Sequence, residues 1–155
     1  VRVYRLSAPK HVKSSLNGEG ARLFGGRWNP PGLAVVYTSE HLSLAVLENL
    51  VHLEPAQLRP DRLALTIDVP DRDVEILPPS ELPKNWRAAR SQRLLQDLGK
   101  AWILEGRSLA MKVPSAVIPQ EHNILLNPNH PKHERLSIES REPFSFDPRL
   151  FRFPT

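Results

Sequence analysis

The chain has 155 residues, of which 40% are hydrophobic and 25% charged, with a formal net charge of +4. That balance suits a packed globular domain and excludes wholesale disorder. The absence of cysteine excludes a disulfide scaffold, a thiolate metal site and a cysteine nucleophile, and no apolar run is long enough to span a membrane.

Val1–Leu6 alternates in polarity and reads as a strand; it has no apolar core of the kind a signal peptide needs. Residues 7–33 hold five of the seven glycines and read as a long irregular segment, a length usually reserved for function. Ala34–Thr38 is a β-branched run, a buried strand. Ser39 is placed to cap a helix running to about Leu53. Leu63–Val69 and Val74–Leu77 are two strands turned by Pro70–Asp73. Leu94, Leu95, Leu98, Ala101 and Trp102 share one helical face, which predicts an amphipathic helix over about Trp86–Glu105, ended by Gly106. Leu109–Val113, Asn123–Leu126 and Arg135–Ser140 complete the strands. Strands interleaved with two main helices, without a regular βαβ rhythm, predict an α+β fold: a mixed β-sheet core with flanking helices. With no internal repeat and no linker, residues 1–155 read as one domain, soluble and cytoplasmic.

The basic excess is local. Arg2, Arg5, Lys10, Lys13, Arg22 and Arg27 face only Glu19 within residues 1–30. Arginines outnumber lysines 15 to 6, and arginine makes planar two-point contacts with oxyanions. Such a segment suits an anionic partner, or is simply a solvated basic surface. Glu48 stands in Leu42–Val51, a stretch apolar on nearly every side. A carboxylate there needs a partner, either a nearby arginine in a structural ion pair or a ligand in a cleft. Phe24–Gly32 combines two adjacent glycines with Arg27 and Trp28, which offers charge beside a stacking surface or a tight turn over a packed indole. Ser115 follows Val113-Pro114; with no His–Asp partner to make a hydrolase triad, it reads as a turn hydroxyl capping a backbone group. His130 and His133 have a metal-like spacing, but Pro131 forbids a helix between them and no acidic set accompanies them. No metal ligands are assigned.

Gly25-Gly26-Arg27-Trp28-Asn29, Tyr37-Thr38-Ser39, Leu44-Ala45-Val46-Leu47-Glu48, Val113-Pro114-Ser115 and Asn123-Ile124-Leu125-Leu126-Asn127-Pro128, in that order, resemble the RES domain. The resemblance extends to the closing Phe144–Leu150. It implies a fold like that of ADP-ribosyltransferases. It also implies a toxin that depletes NAD, partnered by an antitoxin with an Xre-type helix-turn-helix. It assigns Glu48, Arg27 and Tyr37 to catalysis, and Arg5, Trp28, Asn29 and Ser115 to substrate binding. NAD enters as substrate, with no separate cofactor. A homodimer is an allowed assembly, and neither membrane nor direct nucleic-acid binding is expected. The chemistry fits these residues: cleaving the nicotinamide–ribose bond builds oxocarbenium character, which a positioned carboxylate stabilises, while arginines suit the pyrophosphate. Hydrolysis, phosphorolysis and transfer of ADP-ribose to a macromolecule all use this arrangement. A basic nucleic-acid-binding module is the reading from another class.

Overall fold

The computed structural model describes residues 1–53 and 61–151. The strands are β1 (Arg2–Ser7), β2 (Val36–Ser39), β3 (Arg62–Asp68), β4 (Val74–Ile76), β5 (Ala110–Pro114), β6 (His122–Leu126) and β7 (Ile138–Phe144). They form a seven-stranded sheet in the order β4-β5-β6-β2-β1-β3-β7. Only β4 and β5 run parallel; the other neighbours are antiparallel. The architecture is the mixed α+β sheet that the interleaved pattern predicts.

The helices are α1 (Glu19–Phe24), α2 (Leu42–Leu50) and α3 (Gln92–Glu105). The α1 helix lies inside the segment read as irregular, as does a 3-10 turn at Pro9–Ser14. Nothing in α1 is buried, and its Phe24 is 84% exposed, so it carries no apolar stripe to reveal it. The α2 helix begins at Leu42 rather than directly after Ser39, because the Ser39 hydroxyl is spent on Asn123. The α3 helix starts six residues later than predicted, after a 3-10 turn at Ala89–Ser91, and stops as expected at Gly106. The last strand is displaced towards the C-terminus, since His133–Arg135 forms a 3-10 turn.

Register fixes the layers. Tyr37 pairs with Leu125, which pairs with Met111, so the three share one face. There α3 packs Leu95, Trp102 and Ile103 against Met111, Val113 and Leu125. Burying each side chain of this size contributes about 1.5–3 kcal/mol, which holds α3 down. On the same face, Leu42, Val46 and Leu50 of α2 cover Leu6 and Ala64 of β1 and β3. The opposite face buries Val3, Val36, Ile67, Ile124 and Leu126. Between the two helix-covered zones the first face carries polar groups, Ser39 and Asn123, which are cross-strand partners.

The sheet also opens along its middle. β1 makes six register pairs with β3 but only Tyr4↔Ser39 with β2. Two strands that part after one pair leave backbone groups needing other partners. The Arg5 side chain of β1 fills part of that need at the Tyr37 carbonyl.

Candidate active site

Glu48 projects from α2 onto the polar strip. Its Oε1 accepts a hydrogen bond from Ser115 Oγ at 2.7 Å and another from Asn123 Nδ2 at 2.6 Å. Asn123 Oδ1 accepts from Ser39 Oγ at 2.8 Å. No Lys or Arg pairs with Glu48 among the described residues. The carboxylate is thus held by neutral donors, and the structural ion-pair alternative fails there.

Ser115 is committed within the fold. It is fully buried, donates to Glu48, and accepts the Val117 and Ile118 backbone N–H groups, both at 3.0 Å. One donor and two lone pairs are all used: in this structure Ser115 holds Glu48. The two backbone N–H groups make it a turn hydroxyl as well.

Tyr37 and Asn29 form a second locked group. Tyr37 Oη donates to Asn29 Oδ1 at 2.7 Å and accepts from the Trp28 N–H at 3.1 Å. Asn29 Nδ2 serves the carbonyls of Ala21, Pro30 and Leu33. Gly26 makes room for this, because a β-carbon there would stand 2.6 Å from the Tyr37 hydroxyl oxygen. Burial pushes the Tyr37 phenol well above its ordinary value, against smaller opposing effects of the Trp28 N–H and the Arg27 charge. A phenol so raised stays protonated at neutral pH. Asn29 is completely buried with its amide saturated, and Trp28, 2% exposed, packs among Leu95, Trp102 and Met111. Both build the loop in this structure. Tyr37 is only partly buried.

Arg5 Nη1 donates to the Tyr37 carbonyl at 2.8 Å, bridging the opening between β1 and β2. Its Nε is buried without a partner, and burial holds the guanidinium below its ordinary value. A partly buried cation with a spare buried donor suits an anion. Arg27 is half-buried. Its Nη1 lies 3.4 Å from the carbonyls of both Trp86 and Arg87, long contacts that leave the fork uncommitted. Arg87 Nε donates to the Ala116 carbonyl at 3.0 Å, next to Ser115. The Arg27 loop and the Glu48–Ser115 pair therefore meet across Arg87. Tyr37 and Ser39, two residues apart on β2, stand about 7 Å apart on one face and join the two locked groups.

The sequence gives no site role to Asn123, Ser39 or Arg87: Asn123 lies in a family-like motif and Ser39 in a helix-capping position, but no local pattern announces a cross-strand amide. His130 and His133 are elsewhere: the His130 ring accepts the Lys132 N–H, and Lys132 pairs with Asp73. No helix among the described residues is long and apolar enough to cross a membrane.

The model of the RES domain family matches residues 2–147. A relative from Photorhabdus laumondii subsp. laumondii, named Toxin Res, is 38% identical over 151 residues, covering 97% of each chain. One from a Sphingobium species, named Prs ADP-ribosylating toxin, is 36% identical over 148 residues, or 94% of this chain and 92% of the relative. Among solved structures, the M. tuberculosis MbcT–MbcA toxin–antitoxin complex contains a chain of similar fold. Its TM-score is 0.75 at 22% identity, covering 96% of this chain and 85% of that one.

Proposed function

The chain belongs to the RES domain family, and we propose that it is the toxin of a toxin–antitoxin pair and cleaves NAD at the nicotinamide–ribose bond. The observation that carries this reading is a carboxylate, Glu48, held by neutral donors with no arginine or lysine partner among the described residues; the under-used donors of Arg5 and Arg27 support it. Relatives named as toxins support it.

In this reading Arg5 and Arg27 take the two phosphates of NAD, and the partly buried Tyr37 ring stacks on a flat ring of the substrate. The C–N bond to nicotinamide breaks and its electron pair neutralises the ring nitrogen. Positive charge develops on the ribose, and the Glu48 carboxylate stabilises it where it forms. Water then completes hydrolysis to ADP-ribose, releasing a proton; inorganic phosphate in its place gives a phosphorylated ADP-ribose. A departing neutral nicotinamide needs no protonation, so Tyr37 need not act as an acid. The antitoxin is a helix-turn-helix protein, and the activity is cytoplasmic.

Transfer of ADP-ribose to a macromolecule is the second reading, favoured by the name of the Sphingobium relative. One experiment separates them. Purified protein is incubated with NAD, with and without phosphate, and with cell extract, and products are identified by mass spectrometry. Free ADP-ribose or its phosphate supports cleavage, and ADP-ribosylated protein with neither free product supports transfer. Intact NAD in every arm overturns both.

A further inference from the structure

Both donors that hold Glu48 address the same oxygen. Ser115 Oγ and Asn123 Nδ2 converge on Oε1, and Oε2 receives no hydrogen bond from the described residues. We infer that Glu48 acts through Oε2 alone, and that Asn123, locked by Ser39, is the positioning residue that assigns the two oxygens their roles. The inference deepens the NAD reading and its kinetic part rests on that reading.

An asparagine amide has two unlike ends. Turned over, Asn123 would set its carbonyl oxygen against a carboxylate oxygen at about the present 2.6 Å, a repulsive contact. Ser39 prevents this by donating to Asn123 Oδ1 at 2.8 Å from the neighbouring strand. Both side chains are buried, so water does not compete for the bond. Ser115 is fixed in the same manner, because the Val117 and Ile118 N–H groups occupy its lone pairs and aim its hydrogen at Glu48. Two donors at 2.6 and 2.7 Å fill the two lone pairs of Oε1. A two-oxygen grip on a pair of ribose hydroxyls is thereby excluded. The ribose contact and the charge stabilisation both fall to Oε2, whose direction is set by the β2–β6 pair and not by α2 alone.

The test uses the full chain with Asn123→Ala, Asn123→Asp, Ser39→Ala and Glu48→Gln. Steady-state NAD turnover, thermal midpoints and the side-chain amide signals of Asn123 in a nitrogen–proton spectrum are measured together. Misplacing a reacting group by about 1 Å costs roughly 100-fold, so kcat should fall by about that factor in Asn123→Ala and Asn123→Asp. KM for NAD should change by less than about threefold, since uniform binding is untouched. Ser39→Ala, which keeps the asparagine but frees its amide, should show a smaller loss in kcat alone and serves if the Asn123 variants do not fold. The Asn123 amide protons should be displaced and protected from exchange, and should move in both Glu48→Gln and Ser39→Ala. Unchanged kcat in folded Asn123 or Ser39 variants, or a loss confined to KM, overturns the inference. If the unmutated protein leaves NAD intact, the functional reading falls and the amide signals decide alone. Sensitivity to both Glu48→Gln and Ser39→Ala upholds the positioning role, and insensitivity to either removes it.

Discussion

The carbonyl oxygen of Trp28 lies so close to Gly99 of α3 that a β-carbon on Gly99 would stand 1.7 Å from it. The helix and the Arg27 loop touch backbone to backbone at this point, and Gln96 Nε2 reinforces the contact by donating to the Gly26 and Asn29 carbonyls at 2.9 and 3.2 Å. In an ordinary helix interior, Gly→Ala gains about 1 kcal/mol. Here the overlap with a backbone atom outweighs that gain. Gly99→Ala should therefore destabilise the fold by about 1–3 kcal/mol. It should also weaken NAD binding, because separating α3 from the loop moves Arg27. Denaturant unfolding with NAD titration checks this, and a stabilised variant would show that the contact relaxes freely.

Tyr37→Phe tests the brace. Removing the hydroxyl leaves Asn29 Oδ1 and the Trp28 N–H without their partner. An unsatisfied buried group costs about 1–3 kcal/mol, so the thermal midpoint should fall. Turnover per folded molecule should stay within a few-fold, as the ring remains. A stable variant with turnover reduced about 100-fold would instead restore proton chemistry to Tyr37.

Arg27→Lys keeps the charge and loses the planar fork. Arg27 makes only two long contacts to backbone, so the fold should be unaffected. A lost charge-assisted hydrogen bond corresponds to roughly 10–100-fold in affinity for NAD, read by calorimetry. Unchanged affinity would remove Arg27 from the phosphate site.

Acid should loosen the end of the sheet. Glu40, next to Ser39, accepts from the His122 N–H at 2.7 Å and pairs with Lys112 Nζ at 2.9 Å, tying β2 to β5 and β6. Burial alone would raise its carboxyl, but the Lys112 and His122 hydrogen bonds prevail and hold it below the ordinary glutamate range. A lowered folded-state value means stability that is present above the unfolded value and lost as pH falls through the folded one. The stability gap between the natural chain and Glu40→Gln should therefore narrow on acidification below the ordinary glutamate range. A gap independent of pH would show that Glu40 contributes through shape and not charge.

The sheet was legible because β-branched and alternating runs such as Val36–Thr38 and Leu63–Ile67 carry their own period. The main helix was legible from Leu95, Leu98 and Trp102, and Glu48 from the cost of a carboxylate among apolar neighbours. What the chain did not reveal is long-range. Trp28 looks like a stacking surface until α3 covers it, and Ser115 looks like a free hydroxyl until Glu48 arrives from 67 residues away. The Ser39–Asn123 lock spans 84 residues, and only strand pairing brings its members together. Local pattern identifies which residues are costly or unusual. Tertiary contact decides whether each one meets the ligand or supports the residue that does.

Glu48→Gln tests the central claim most directly. Glutamine can present one oxygen to Ser115 and Asn123 as Glu48 Oε1 does, so folding should be preserved while the negative charge is lost. Thermal midpoint and nicotinamide release from NAD are measured on the same samples. The account predicts an unchanged or higher midpoint with release slowed by about two orders of magnitude or more. A folded Glu48→Gln protein that releases nicotinamide at the rate of the natural chain would contradict it.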